Sequence, residues 1–140
     1  MRLQQNTLLA LYSALEFASR PERQLSAAEI AARYRASPHH LAKVLRKLRR
    51  AGLLQAARGV GGGYRFTGNA KRVTLMDVVE LFEKVGAARP GPRAGRREEE
   101  KALDEVLAEV DQIAKATFRS ITLDTMLKLI ARRARRGRGA

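Results

Sequence analysis

The 140-residue sequence predicts a mainly α-helical fold with one small β-hairpin: a winged helix-turn-helix domain followed by a long C-terminal dimerisation helix. Three observations predict it. Two capped helical segments are separated by a three-residue turn at 35–37, the glycine-rich GVGGG of the stretch RGVGGGYRF lies between two strand-like segments, and a long apolar stripe follows residue 98. With 45% apolar residues, the chain can supply a core.

The charge distribution points to a polyanionic partner. The formal net charge is +14, and eleven Lys or Arg but no Asp or Glu fall between Arg33 and Arg72. A continuous basic field of this kind favours double-stranded DNA first and an anionic membrane surface second. A merely solvated basic face is the plainer alternative.

Several function classes lose support from what the sequence lacks. Without cysteine there is no disulfide, thiolate zinc site or cysteine-ligated cluster, and the adjacent pair His39 and His40 makes no metal site alone. No nucleophile–histidine set or paired carboxylates suggest an enzyme. No apolar run approaches the ~20 residues of a membrane span, so a cytoplasmic, nucleoid-associated protein is expected.

The first two helices are predicted from apolar spacing and capping. Residues 4–19 form the first helix, which ends before Pro21. Its predicted inward residues are Leu8, Leu11, Tyr12, Leu15 and Ala18. Ser26 and Glu29 form a capping box that opens a second helix over 27–34.

The third helix has the features of a recognition helix. Ser37 as N-cap and Pro38 at the first position start it, and Gly52 stops it. Its predicted inward residues are Leu41, Val44, Leu45 and Leu48. The leading residues are placed to reach base edges or phosphates in a major groove, and later basic residues to contact phosphates. The leading set is Ser37, His39, His40 and Lys43, and the phosphate set is Lys47 and Arg50. Capping or simple solvation is the alternative role for each histidine.

Residues 53–67 are predicted to form a hairpin wing, with strands at 53–58 and 64–67 and a glycine-rich tip at 59–63. Arg58 at its root suits a narrow minor groove, and Gly59 would let the backbone approach the sugar-phosphate edge. A nucleotide-binding loop is disfavoured because GxxxxGK[ST] is missing and the glycines join two strands.

The C-terminal half is predicted to contain three more helices and a basic tail. Thr74 and Asp77 cap a helix over 75–85, with Leu75, Val78, Val79 and Phe82 facing inward. A loop at 86–97 precedes a long helix whose apolar stripe needs a partner chain to cover it. The stripe is Leu103, Val106, Leu107, Val110, Ile113, Ala114 and Phe118.

Thr122 caps a last helix, predicted over 123–133. Its predicted inward residues are Leu123, Met126, Leu127 and Ile130. The arginines of the tail either add nonspecific DNA affinity or only keep the protein soluble. The predicted division is a DNA-binding domain at 1–85, a flexible loop at 86–97, dimerisation helices at 98–131 and a basic tail at 132–140.

The segment LSAAEIAARYRASPHHLAKVLRKLRRAGLLQAARGVGGGYRF resembles the DNA-binding core of the Rrf-two family of bacterial transcription regulators, most specifically at RGVGGGY. The initial MRL, VTLMDVVELFE and ITLDTML extend the resemblance to about Ile130. It implies a homodimeric repressor of a roughly palindromic operator, whose long penultimate helix crosses its twin. Family DNA contacts fall on Ser37, His39, His40, Lys43 and Arg58, with N-terminal backbone contacts near Arg2 and Gln5.

The best-known family members hold an iron–sulfur cluster with three cysteines, which this sequence does not have. Others respond to a protein partner or another signal, so a cluster-free regulator with no cofactor is predicted. Ala88, Ala94 and Ala102 have a spacing close to that of the family's cluster ligands. They are either replaced cysteines of an engineered apo form or a coincidence, and the unmodified gene decides between the two. The runner-up functions are a nonspecific architectural DNA-binding protein and a partner-binding scaffold.

Overall fold

The computed structural model describes residues 2–59, 62–85 and 97–139. Six helices and one hairpin follow one another along this part of the chain. They are α1 (Gln5–Ser19), α2 (Ala27–Tyr34), α3 (Pro38–Arg50), β1 (Leu54–Ala57), β2 (Gly63–Phe66), α4 (Leu75–Val79), α5 (Glu98–Ser120) and α6 (Leu123–Arg138). No helix in these ranges is both long enough and apolar enough to cross a membrane.

Helix α1 lies at the centre and contacts α3, α4, α6 and β2. The predicted helix is confirmed, and its predicted inward face is confirmed in part. Ala18 is buried and the half-buried Leu11 and Leu15 pack against the core, whereas Leu8 is only half-buried and Tyr12 is 39% exposed. The fully buried apolar side chains are Leu9, Ala10, Ala14, Phe17 and Ala18. Apolar residues lie nearly all round α1, and the alanines form the side on which neighbouring helices can approach closely.

The helix-turn-helix is formed as predicted. Ser26 accepts from the backbone N–H of Glu29, whose carboxylate accepts in return from the Ser26 N–H. Arg35 ends α2 in the left-handed conformation (φ 54°), and three residues later α3 begins at Pro38. All four predicted inward residues of α3 are buried. Residue 52, a glycine with φ +85°, follows the end of α3.

The wing is an antiparallel pair in which Leu54 lies opposite Phe66 and Ala57 opposite Gly63. The α1–α2 connection adds a single rung to its other edge. Leu25 and Tyr64 exchange two backbone hydrogen bonds, of 2.9 Å and 2.8 Å. The hairpin is therefore joined on one side to the body of the domain.

Helix α4 begins at the predicted Thr74–Asp77 capping box but ends at Val79, so the predicted extent to 85 is wrong. Beyond Val79 the N–H groups of Leu81 and Phe82 bond three residues back, in a tighter turn. This geometry accompanies two tertiary contacts described below, in which Phe82 meets α3 and Glu83 meets α1. Val78 and Val79 are buried, whereas Leu75 and Phe82 are half-buried.

Helices α4 and α6 start side by side. The N–H of Leu75 donates to Ile121 O at 2.8 Å, and that of Leu123 donates to Val73 O at 2.9 Å. Thr122 caps α6 as predicted, by accepting from the N–H of Thr125. Helix α6 then runs five residues beyond its predicted end because the arginine run contains no proline and arginine is a good helix former.

The C-terminal part of α6, from residue 128 onward, is exposed and does not pack against the core. Leu123 is buried and Leu127 packs against the core, but Ile130 is 45% exposed, so its predicted inward position is wrong for a single chain. Only the first turns of α6 lie over the core. The five arginines from Arg132 to Arg138 are all exposed.

Candidate nucleic-acid interface

Helix α3 separates an apolar side from a basic side. At 3.6 residues per turn, His39, Lys43, Arg46 and Arg50 fall within one narrow sector, opposite the buried leucines and Val44. All four are exposed, and none of their side chains forms a hydrogen bond or ion pair with another described residue. This row is called the basic stripe below. Three basic residues fall in the last turn of α3 and complement its helix dipole.

Arg46 belongs to the basic stripe but was not among the predicted site residues. Its spacing, three residues after Lys43 and four before Arg50, was the signal that could have identified it. Ser37 is exposed at the start of α3, where its hydroxyl oxygen accepts from the His40 N–H at 3.4 Å.

Two predicted contact residues also have partners within the chain. The ring of His40 is half-buried, and its Nε2 is hydrogen-bonded to Oδ1 of Asn6 on α1. The Lys47 ammonium lies 5.1 Å from the centroid of the Phe82 ring, a cation–π contact. Both side chains lie at the margin of the basic stripe and join α3 to neighbouring elements.

The chain's N-terminal residues lie beside the start of α3. The Asn6–His40 hydrogen bond joins the first turn of α1 to the first turn of α3, and Arg2 and Gln5 are exposed there. Glu83 accepts from the backbone N–H of Gln4 at 2.9 Å and from the Thr7 hydroxyl. A carboxylate at this position suits the positive end of the α1 dipole.

On the wing, Arg58 and Gly59 are exposed, as a DNA-contacting role requires. The structure adds two residues that sequence reasoning missed. Arg65 pairs with Gln55 across the two strands, and both line a surface groove together with Arg58, Ala56 and Ala57. Two guanidinium groups and an amide at one groove form a surface suited to a phosphate backbone. Strand alternation was the signal, since Arg65 lies between Tyr64 and the buried Phe66.

The glycines of the wing have different roles. A Cβ on Gly63 would lie 2.8 Å from the Leu25 carbonyl oxygen and 3.0 Å from the Gln24 side chain, and its φ is +151°. Gly62 has φ +63° but open space around its Cβ position. Gly63 therefore permits the close approach of the α1–α2 connection, whereas Gly62 permits a left-handed turn. Val60 and Gly61 at the tip lie outside the described residues.

The predicted dimerisation residues lie on α5, far from α3 in sequence. Four of them are more than half exposed: Leu103, Val106, Val110 and Ile113. Leu107 is half-buried, and Phe118 packs with Ala114 against Met76 and Val79 of α4. Of the flagged alanines, Ala88 and Ala94 lie outside the described residues, and Ala102 is exposed on the second turn of α5.

Within residues 2–59, 62–85 and 97–139, no three His, Asp or Glu side chains are grouped to hold a metal ion. The features brought together are a helix-turn-helix, an exposed basic stripe and a two-stranded wing with arginines on its outer face. These features define a winged-helix DNA-binding protein.

The chain belongs to the Rrf2 family, described as iron-dependent transcriptional regulators, whose model matches residues 3–129. It is 50% identical over 130 residues to a protein of Rhodopseudomonas palustris described as the HTH-type transcriptional regulator BadM, covering 93% of this chain and 83% of that protein. It is 35% identical over 79 residues to the HTH-type transcriptional regulator IscR of Cereibacter sphaeroides, which covers 52% of this chain and 51% of IscR.

Solved structures have the same fold. CymR of B. subtilis, titled a global cysteine regulator, superposes with a TM-score of 0.75 at 24% identity, covering 92% of this chain and 98% of CymR. IscR of T. potens superposes with a TM-score of 0.68 at 22% identity, covering 91% of this chain and 87% of IscR. The predicted fold class, family and absence of an enzymatic role are confirmed: the chain is a transcriptional regulator with a DNA-binding fold. The individual DNA contacts stay predictions.

Proposed function

We propose that this regulator is a sequence-specific repressor that binds a palindromic operator as a homodimer. The observation that carries the proposal is the basic stripe of α3, which is exposed, has no carboxylate on its own helix and lies in the same basic field as the arginines of the wing. An α-helix fits the major groove, and residues near its N-terminus reach base edges. His39 and Lys43 take that role, while Arg50 contacts phosphates.

Arg58 enters the adjacent minor groove, and Arg65 contacts the backbone beside it. Arg2 and Gln5 contact the backbone next to the start of α3, since the Asn6–His40 bond holds these two helix starts together. His40 and Lys47 contribute by positioning α3 as well as by reaching phosphates. Ser37 and Gly59 complete the contacting surface at the two loop positions.

The homodimer is supported by the pattern on α5. Leu103 and Ile113 are equally far from Ala108 in sequence, and so are Val106 and Val110. Two antiparallel copies about a twofold axis near Ala108 therefore match apolar residue to apolar residue, as an isologous interface requires.

The charges of α5 favour the same antiparallel arrangement. Its first turn carries Glu98, Glu99 and Glu100, whereas Lys115 and Arg119 occupy its last third, which has no acid. Antiparallel pairing brings the acidic end of one helix to the basic end of its partner, which favours this orientation over the parallel one.

A palindromic operator follows from the symmetry. A twofold dimer presents two α3 helices in opposite orientations, so the two half-sites are inverted and about one DNA turn, ~34 Å, apart. Occupying such a site near a promoter blocks transcription, and repression is the role that the family resemblance implies. Because the chain has no cysteine, the proposed regulator works without a cysteine-ligated cluster.

The test is selection of bound duplexes from a random pool, followed by affinity measurements at two salt concentrations for the selected and a scrambled duplex. A palindrome preferred by ~10³ or more supports the proposal. Equal, steeply salt-dependent binding to both duplexes would instead identify an architectural DNA-binding protein. Weak binding to either would identify a scaffold. Repression is tested separately, with a reporter gene behind the selected operator in cells with and without the protein.

A further inference from the structure

A cavity of about 220 Å³ lies between the end of α1, the α1–α2 connection and α2, and no residue of the basic stripe lines it. Its lining includes three arginines, two glutamates and two aliphatic side chains: Glu16, Arg20, Arg23, Leu25, Glu29, Ile30 and Arg33.

The two glutamates are already occupied. Glu16 accepts from Arg33 at 2.6 Å and from the Tyr34 hydroxyl at 2.7 Å, one bond to each oxygen. Glu29 accepts from the Ser26 N–H at 3.2 Å in the cap of α2. Neither carboxylate forms a hydrogen bond or ion pair with Arg20 or Arg23 among the described residues.

Arg20 and Arg23 have no such partner. Neither guanidinium forms a hydrogen bond or ion pair with residues 2–59, 62–85 or 97–139, although Arg20 attracts Glu16 over a longer distance. Two arginines at one cavity can provide bidentate donors, which suit a carboxylate. The aliphatic part of the wall is Leu25 and the buried Ile30.

We propose that this cavity binds a small organic acid, with Arg20 and Arg23 pairing with its carboxylate and Leu25 and Ile30 contacting its apolar body. Its volume of about 220 Å³ lies below the ~300–1,000 Å³ of sites that hold drug-sized ligands, so the cavity suits a small ligand. This size favours a short aliphatic or single-ring acid over a nucleotide. In this proposal the ligand is an effector of DNA binding. This regulatory role rests on the DNA-binding function proposed above.

The effect on DNA binding passes through the α1–α2 connection. Leu25 lines the cavity and also forms both backbone hydrogen bonds to Tyr64 in the wing. The neighbouring Gln24 side chain lies against Gly59 and Gly63. Displacement of this connection by a ligand therefore moves the strand pair that carries Arg58 and Arg65.

The binding test uses the full, ¹⁵N-labelled chain and needs no DNA. Sodium acetate, butanoate and hexanoate are titrated at constant ionic strength, with sodium chloride as the blank. We expect shifts at the amides of Leu25 and Ile30 and, through the strand rung, at Tyr64. Affinity should rise roughly fourfold for each methylene group buried.

The matched variants are the double substitution R20Q/R23Q and, as control for the same charge change, R132Q/R133Q on the exposed end of α6. The first should weaken hexanoate binding at least tenfold, and the second should leave it unchanged. Hexanoate should change operator affinity of the unaltered protein by about fivefold or more, the usual lower range of coupling between sites.

Four results would overturn the proposal. Three of them are no shifts at the cavity, affinities independent of chain length, and equal binding by R20Q/R23Q. A fourth is loss of DNA affinity and of salt dependence in R20Q/R23Q without any acid present, which would assign these arginines to the DNA backbone. If hexanoate binds at the cavity but the selection shows no operator preference, the acid-binding site is supported and the proposed sequence-specific repressor is refuted.

Discussion

Glu16 joins α1 to α2 through both of its carboxylate oxygens. Arg33 and Tyr34 donate to it, and the Tyr34 ring stacks on Tyr12 with centroids 4.9 Å apart. Burial by itself raises the pKa of Glu16, but the hydrogen bonds from Tyr34 and Arg33 more than reverse this effect and hold the pKa below its ordinary value. Burial and the bond to Glu16 raise the pKa of the Tyr34 hydroxyl.

Because the folded pKa of Glu16 is lowered, its ionised form stabilises the fold above the ordinary value of 4.5, and this contribution is lost as pH falls through the folded pKa. We expect Glu16→Gln to lower the free energy of unfolding by about 1 kcal/mol at pH 7, since the pair is partly exposed. The difference should shrink below pH 4. Urea unfolding at pH 7 and below pH 4 measures this difference in the free energy of unfolding, with a substitution at an exposed residue, Glu22→Gln, as the control. An equal deficit at both pH values would contradict this account.

Lys43 and Arg50 both belong to the basic stripe of α3 but lie at different distances from its N-terminus. Replacing each of them should therefore change DNA binding in a different way. We expect Lys43→Ala to cost about 1–3 kcal/mol on the preferred operator and to relax preference at one base pair of each half-site. Arg50→Ala should weaken binding to every duplex alike and reduce the salt slope by about one per subunit. Competition binding with single-base operator variants distinguishes the two, and identical profiles would refute the division of roles.

At the scale of elements, the wing depends on a backbone contact with a distant part of the chain. Gly63 lies so close to Leu25 that no side chain fits between them, and the strand rung from Leu25 to Tyr64 depends on that approach. Within RGVGGGY, Gly63 therefore serves the packing of the hairpin.

We expect Gly63→Ala to destabilise the fold by about 1–3 kcal/mol, because the new Cβ meets the Leu25 carbonyl and the backbone has an unfavourable φ. Gly137→Ala is the matched control. It lies within α6 with nothing near its Cβ position, and alanine there should stabilise the helix by about 0.5–1 kcal/mol. Thermal unfolding of both variants tests this, and an unchanged melting temperature for Gly63→Ala would refute the close contact.

At the scale of the whole molecule, α5 is the element least accounted for by a single chain. It has 23 residues and none of them is buried. Only its C-terminal half reaches α4, through Ala114 and Phe118. Leu129 and Ile130 of α6 are exposed as well, at 45% each. A second copy packed against α5 would cover its exposed Leu103, Val106, Val110 and Ile113.

We expect Val110→Glu to prevent dimerisation, because a charge buried at the twofold interface costs about 3 kcal/mol, or ~10²-fold in the dissociation constant. Gln112→Glu introduces the same charge on the opposite side of α5 and should leave the dimer intact. Sedimentation equilibrium at micromolar concentration gives the masses, and operator binding should be lost together with the dimer. A monomeric unaltered protein would refute the dimer, and a dimeric Val110→Glu would place the interface elsewhere.

Prediction from the sequence worked best where the signal was local. The capping boxes at Ser26 and Thr74 and the Ser37–Pro38 start of α3 involve residues no more than three apart, and the structure shows each. The same holds for the buried side of α3, whose basic residues leave only one side apolar. The family resemblance was likewise carried by a continuous motif.

The predictions were wrong where the local sequence allowed more than one buried side of a helix or more than one helix length. Helix α1 is apolar nearly all round, so its neighbours α3, α4 and α6 selected the buried side. The end of α4 accompanies contacts of Phe82 and Glu83 with residues more than thirty positions away. His40 and Lys47 of α3 contact Asn6 and Phe82, which are also more than thirty positions away in sequence.

The sequence by itself determined the helix starts, the recognition helix, the wing and the family, because each depends on residues close together along the chain. Only the tertiary structure decided which side of α1 is buried and why Gly63 must be glycine. It also revealed the cavity beside Arg20 and Arg23. These features depend on distances between segments far apart in sequence, which packing sets and local preference does not.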